Sequence, residues 1–169
     1  MNWSFAEKAD KGKDIANFPQ RKNSTPFSVG TYLTRVVCAK GITDAAGKDR
    51  FVAEFKVVDS AGGGNPIGSE PSIAPEIPGP FEYGMKDANA FLTAAYHSLT
   101  LVKGDEFPEG FTITKEMADY AMSTDNPLKG VFLIVRAYLK KPGDTFAAIS
   151  YTVPPNAKAL YDGESAPKL

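Results

Sequence analysis

The sequence has one histidine, His97, and one cysteine, Cys38. A single cysteine excludes an intramolecular disulfide and a zinc site built from several cysteines of the chain. No Gly-x-Ser-x-Gly sequence accompanies His97, so nothing indicates a serine hydrolase. We interpret His97 as a structural residue and Cys38, which lies in an apolar run, as an inert buried thiol. We therefore expect no catalytic residues and no enzyme.

Motifs for metal and phosphate binding are also lacking. Asp105, Glu106 and Glu109 are close in sequence but do not have the spacing of a calcium-binding loop. The glycine run 62–64 lacks the Gly-Lys-Ser/Thr ending of a P-loop. We interpret the acidic segment as a solvated loop and expect no cofactor and no metal site.

Long apolar runs are absent as well. The longest, Val131–Val135, has the length of a strand and is far shorter than the about 20 residues that cross a bilayer. The first residues, Met1–Lys8, have no apolar core of a signal peptide. We expect no membrane partner and a cytoplasmic location.

The chain has little net charge, and its charge is unevenly distributed. The formal value is −1, which alone is weak support for a nucleic-acid-binding protein. In residues 1–25, however, basic side chains outnumber acidic ones five to three. In residues 103–125, acidic side chains outnumber basic ones six to two. The acidic residues are thus concentrated in one segment, and the remainder is mildly basic.

What the sequence does contain is a series of strand-like runs interrupted by a helical segment. Val, Ile, Thr, Phe and Tyr are frequent in these runs, and Gly, Pro, Asn and Asp separate them. The order β-β-β-α-β-β is that of the OB-fold, a small, partly open barrel. We predict a fold that is mainly β with a helical insert (α+β), an OB-like five-stranded barrel. The predicted runs are 27–40, 50–60, a weak third candidate at 66–73, 130–141 and 145–153, with the insert at 85–123.

These runs predict an OB-like domain at 27–153, an N-terminal arm at 1–26 and an extended or disordered tail at 154–169. Within the insert, a helical stripe predicts a helix over Lys86–Leu99 with Asp87 as its N-cap. A second, shorter helix is predicted over Thr114–Met122, with Thr114 as N-cap.

One predicted strand face combines aromatic and basic side chains. Phe132, Arg136, Tyr138 and Lys140 alternate along the fourth run and share a face. Single-stranded nucleic acid is bound by rings that stack on bases and cations that contact phosphates. Basic residues also flank the first and last hairpin loops, which border the ligand groove of an OB-fold. The predicted nucleic-acid-binding residues are Lys48, Arg50, Lys56, Phe132, Arg136, Tyr138, Lys140 and Lys141. The alternative is that these aromatics pack under the insert and the lysines only confer solubility.

Three segments carry a resemblance to known proteins. Asp49–Val57, Lys86–Leu92 and Asn126–Gly130, the last followed by a strand, resemble a loose group of small early bacteriophage proteins. Some of that group are similar to OB-fold single-stranded DNA-binding proteins. The resemblance implies a replication or recombination accessory that coats single strands in the host cytoplasm, with a homo-oligomer or replication proteins as further partners. The tail departs from many such proteins because its acidic and basic residues balance.

Two other functions are open at this point. The arm 1–26 and the proline-rich segment 66–80 would suit a structural, capsid-decorating protein of a phage particle, because both could drape over neighbouring subunits. The acidic segment 103–125 would suit a protein-interaction module on the same fold.

Overall fold

The computed structural model describes residues 25–77 and 83–163, with side chains from residue 86 onward in the second range. The predicted arm, apart from residues 25 and 26, and the end of the predicted tail lie outside these ranges. In the described residues the chain forms five strands and three helices. They are β1 (Gly30–Thr43), β2 (Asp49–Ala61), β3 (Ser72–Ile73), α1 (Tyr83–Val102), α2 (Lys115–Ala121), β4 (Phe132–Tyr138), β5 (Ala148–Thr152) and α3 (Ala157–Tyr161).

The strands form one antiparallel sheet in the order β3-β2-β1-β4-β5. The prediction of a mainly β fold with five strands is confirmed, but the strands form an open sheet and not the predicted OB-like barrel. Within the described residues β3 and β5 do not pair, because β3 contributes only two residues and lies between Pro71 and Pro75. The order of elements also differs from the predicted one, since a further helix, α3, follows β5 where an extended or disordered tail was predicted.

The open sheet is strongly curled. Two register irregularities in the β1–β2 pairing, at Leu33/Thr34 and Val36/Cys38, increase its local twist. The rings of Phe55 in β2 and Tyr151 in β5 stack at 6.3 Å between centroids. In a flat sheet these strands, with two others between them, would lie about 14 Å apart.

Helix α1 fills the concave side of the curl. Phe91 meets Phe55 and Tyr151 edge to face, with centroids 5.5 and 5.8 Å apart. In the predicted helical stripe, Ala88, Phe91, Leu92 and Ala95 are completely buried, whereas Tyr96 and Leu99 are partly buried. The helix begins at Tyr83, so Asp87 lies in its second turn and the predicted N-cap is wrong. Thr114, in contrast, is the N-cap of α2 and accepts a hydrogen bond from the Met117 N–H.

The loop before β4 is fixed to β1. The buried side chain of Asn126 accepts a hydrogen bond from Ala39 N–H and donates one to Ala39 C=O, at 3.2 and 2.8 Å. The Gly130 N–H then donates to the Val36 C=O, and the Val36 N–H donates to the Val131 C=O. These contacts continue the β1–β4 pairing, and they set the register in which Phe132 stands opposite Arg35.

Part of the predicted extended tail is helical. Leu160 of α3 is buried against Leu33 and Phe132, in a small apolar cluster separate from the main core. A helix of five residues is too short to be stable alone, and its sequence therefore gives little signal. Packing against the sheet is what stabilises it.

Candidate functional site

The convex surface of the sheet, which we call the outer face, carries the predicted aromatic and basic residues of β4. Leu133, Val135 and Ala137 point into the core and are buried. The alternate residues, Phe132, Ile134, Arg136 and Tyr138, therefore lie on the outer face, as the two-residue period predicts.

Arg136 and Tyr138 form a cation–aromatic pair on this face. The guanidinium carbon of Arg136 lies 5.4 Å from the centroid of the Tyr138 ring. Arg136 is exposed, and no carboxylate in the described ranges pairs with it. Its neighbours in register are the small polar residues Thr31 and Ser150. A cation held against a ring and free of counter-charge is suited to contact a phosphate while a base stacks nearby.

Two further cations stand directly opposite each other on the outer face. Arg35 of β1 and Lys56 of β2 are Cα partners in the antiparallel register, and both side chains are exposed. Neither forms an ion pair with any described residue. Like charges in this position destabilise a sheet. An anion bound between them would remove that repulsion.

An aromatic ring lies beside Arg35. A Cβ placed on Gly130 would be 3.3 Å from the Arg35 guanidinium and 3.4 Å from the ring of Tyr161. Gly130 has φ +91°, a conformation that favours glycine, and its missing side chain leaves room for both groups. Because Tyr161 is 41% exposed, its ring is accessible from solvent. Arg35, Lys56 and Tyr161 thus form a second group of cations and an aromatic ring, which we call the β1 patch.

The β1 patch and the Arg136–Tyr138 pair lie at different positions along the strands. Phe132 lies on the outer face but is only 8% exposed, because it packs against Leu33 and Leu160. Its ring is therefore not exposed for stacking with a base. Arg136 stands opposite Thr31, and Arg35 lies four residues further along β1. The two arginines are therefore roughly 13 Å apart along the strands.

The first hairpin loop is basic in sequence but neutralised in the structure. Arg50 pairs with Asp44 at 2.7 Å, and Lys48 pairs with Glu76 at 3.1 Å. The Arg50 side chain, together with the backbone N–H groups of Lys48 and Ala46, holds the pKa of Asp44 below its usual value. Both predicted cations are thus occupied by carboxylates.

The second hairpin loop, between β4 and β5, has basic residues without such partners. Lys140 and Lys141 are exposed and form no ion pair with a described carboxylate. Phe146, in the same loop, is 80% exposed. Burial raises the pKa of Asp87 in α1, and the positive charges of Lys140 and Lys86 oppose that effect.

Sequence reasoning did not identify Arg35, Tyr161 or Phe146. Arg35 lies two residues after Leu33, which is the spacing of side chains on one face of a strand. This spacing predicts that Arg35 shares the face of Leu33. Its position opposite Lys56 depends on the irregularity at Leu33/Thr34, which the sequence does not show. Tyr161 reaches the site only because α3 folds back onto the sheet.

The other chemically reactive side chains have local partners. His97 stacks on Phe107, with ring centroids 4.2 Å apart. Buried Cys38 donates to the Glu54 carboxylate, which also forms a buried ion pair with Lys40 at 3.0 Å. In the part of the chain that the structure describes, no three His, Cys, Asp or Glu side chains are grouped so that they could hold a metal ion.

No protein-family model matches the chain, and no curated protein matches it significantly. Among the described helices, none is both long and apolar enough to span a bilayer.

Proposed function

We propose that this protein binds single-stranded DNA with little sequence preference, as a replication or recombination accessory of a bacteriophage. The observation that carries the proposal is the pair Arg35 and Lys56, two exposed cations that stand opposite each other without a described counter-ion. Such an arrangement costs stability unless a polyanion occupies it. The resemblance of three sequence segments to phage proteins supports the proposed origin.

The aromatic residues favour a single strand over a duplex. Tyr138 and Tyr161 lie beside arginines on the outer face. A ring can stack only on a base that is not already stacked and paired within a helix. Stacking is possible with every base, so binding of this kind has little sequence preference.

The charge distribution supports modest, salt-dependent binding. The chain carries a formal charge of −1, and its acidic segment 103–125 is separate in sequence from the outer-face strands. Affinity would therefore depend on a few cations, chiefly Arg35, Lys56 and Arg136, with Lys140 and Lys141 at the hairpin. Each phosphate contact releases a counter-ion, so affinity should fall as salt rises.

A fluorescence anisotropy titration with a labelled single-stranded oligonucleotide tests the proposal, with duplex DNA as the competing ligand. We expect the single strand to bind more tightly than the duplex, and salt to weaken binding. Arg136→Ala/Tyr138→Ala should lower the affinity roughly tenfold or more.

The matched control is Lys103→Ala/Tyr120→Ala, which removes one exposed cation and one exposed ring from the acidic segment. It should bind like the unmodified protein. Absence of binding at low salt, or an equal loss in both double variants, would contradict the proposal.

A further inference from the structure

Among the described residues, one edge of strand β5 is unpaired. The strand pairs with β4 along all five of its residues, and β4 is its only neighbour among the described strands. In the described ranges, no other backbone group forms a hydrogen bond with residues 148–152. The N–H and C=O groups that point away from β4 are therefore a template for another strand.

The two edges of the sheet differ in how they are protected. At the other edge, β3 is two residues long, and Pro71 and Pro75 remove backbone donors around it. Residues 146–153, Phe-Ala-Ala-Ile-Ser-Tyr-Thr-Val, contain no charge, no proline and no glycine. Within the part of the chain that the structure describes, the β5 edge thus lacks the devices that usually prevent strand addition.

The core is also incomplete at this edge. Ile149 and Tyr151 stand opposite Ala137 and Val135 and so face the core, yet both remain partly exposed. Leu133 and Val135 on the adjacent strand are fully buried. Apolar surface is left open beside the free backbone groups, where an added strand would cover it.

We propose that a second copy of this chain adds its own β5 to this edge, antiparallel and about a two-fold axis at Ser150. This register pairs all five residues: Ser150 with Ser150, Ile149 with Tyr151, and Ala148 with Thr152. Every pair is uncharged, so self-pairing brings no like charges together. Ile149 and Tyr151 form an aliphatic–aromatic pair on the core side, a favourable cross-strand combination.

The consequence for nucleic-acid binding rests on the proposed function. Arg136 stands opposite Ser150, so the dimer places Arg136, Ser150, Ser150 and Arg136 in one row on the outer face. The two arginines would be about 14 Å apart, three strand spacings. Each copy thus contributes an Arg136–Tyr138 pair to one continuous surface, and a single chain holds only half of it.

Strand pairing over five residues buries little area, so the dimer is weak without ligand. A single strand that contacts both copies would raise their effective concentration and stabilise the pair.

Register-specific crosslinking tests the proposal without nucleic acid. In the Ser150→Cys variant the two thiols meet at the axis and should form an interchain disulfide on mild oxidation. In the control, Thr152→Cys, the thiols stand roughly 13 Å apart, because each faces Ala148 of the other copy, and this exceeds the span of a disulfide. The native Cys38 is buried and common to both variants. Equal crosslinking of both variants, or none of either, would overturn the proposal.

Charge exchange at the axis provides a second test. Ser150→Glu and Ser150→Lys should each be monomeric in sedimentation velocity at protein concentrations where the unmodified chain dimerises. An equimolar mixture should recover the dimer, because opposite charges then meet at the axis. A mixture that stays monomeric would overturn the proposed register. DNA binding measured separately distinguishes the two proposals, because binding can persist when the crosslink fails and the crosslink can form when binding fails.

Discussion

Phe55 and Tyr151 stack with their rings 6.3 Å apart and 17° from parallel, although two strands lie between theirs in the sheet. This contact shows how far the sheet curls, because it joins β2 to β5 across the core. The convex outer face, with Arg35, Lys56 and Arg136, is the other side of the same curl. The stability of the core and the geometry of the candidate site therefore depend on each other.

The first prediction concerns this core. Phe55→Ala removes a fully buried ring that contacts Phe27, Phe91 and Tyr151. The free energy of unfolding should fall by about 3–5 kcal/mol, measured by urea denaturation. Phe146→Ala, at an exposed ring, is the control and should change it by no more than about 0.5 kcal/mol. Similar values for the two variants would contradict the burial of Phe55 in the core.

The second prediction concerns the loop that sets the β4 register. Asn126 has φ 44° and makes two buried hydrogen bonds with the backbone of Ala39. Asn126→Ala leaves both Ala39 groups without this partner and should lower the free energy of unfolding by roughly 2–4 kcal/mol. Asn126→Gly tolerates the positive φ but lacks the two side-chain hydrogen bonds. Its free energy of unfolding should lie between those of the unmodified protein and Asn126→Ala. If glycine fully restored stability, the side-chain bonds would contribute nothing.

The third prediction concerns the buried ion pair of Lys40 and Glu54. Lys40→Met removes the ammonium group that pairs with the buried Glu54 carboxylate. The free energy of unfolding should fall by about 3–5 kcal/mol. Glu54→Gln in that background removes the charge and should recover part of the loss. A double-mutant cycle measured by chemical denaturation checks this. Strictly additive effects would show that the two side chains are not coupled.

The fourth prediction concerns the neutralised first hairpin. Asp44→Asn retains an oxygen for the Ala46 and Lys48 N–H groups but removes the carboxylate that occupies Arg50. If this loop borders the bound strand, the freed cation should raise affinity and steepen the salt dependence by about 0.7 in log–log slope. Unchanged affinity would place the loop outside the interface.

The contribution of the Arg50–Asp44 pair to stability should depend on pH in a definite direction. Arg50 lowers the pKa of Asp44 from 3.8, so the contribution of the pair to stability is present above that value. It is lost as the pH falls through the lower, folded-state pKa. An NMR titration of the Asp44 carboxyl should therefore show a midpoint below 3.8 that rises in Arg50→Gln.

Much of the fold could be predicted from local patterns. Residue alternation identifies β2 and β4, and the helical stripe identifies the buried face of α1. Proline density correctly indicates that β3 is short and lies at an edge. In each case the signal is local, because it is carried by residues within one element.

What could not be predicted depends on contacts distant in sequence. The sheet stays open because β3 and β5 do not pair, and whether two strands far apart in sequence pair is not set by a local pattern. The neutralisation of Lys48 requires Glu76, and the contact of Phe132 with Leu160 requires α3 to fold back. The opposition of Arg35 and Lys56 depends on a register irregularity. The candidate site could therefore be predicted only in part from the sequence.

The most direct test of the central claim is the salt dependence of single-strand affinity in Arg35→Gln/Lys56→Gln. Loss of two phosphate contacts should reduce the log–log slope by about 1.4, since each contributes about 0.7 for a single strand. Lys103→Gln/Lys115→Gln, with the same charge change in the acidic segment, should retain the slope of the unmodified protein. Equal slopes in all three proteins would contradict the claim that the outer face binds the strand.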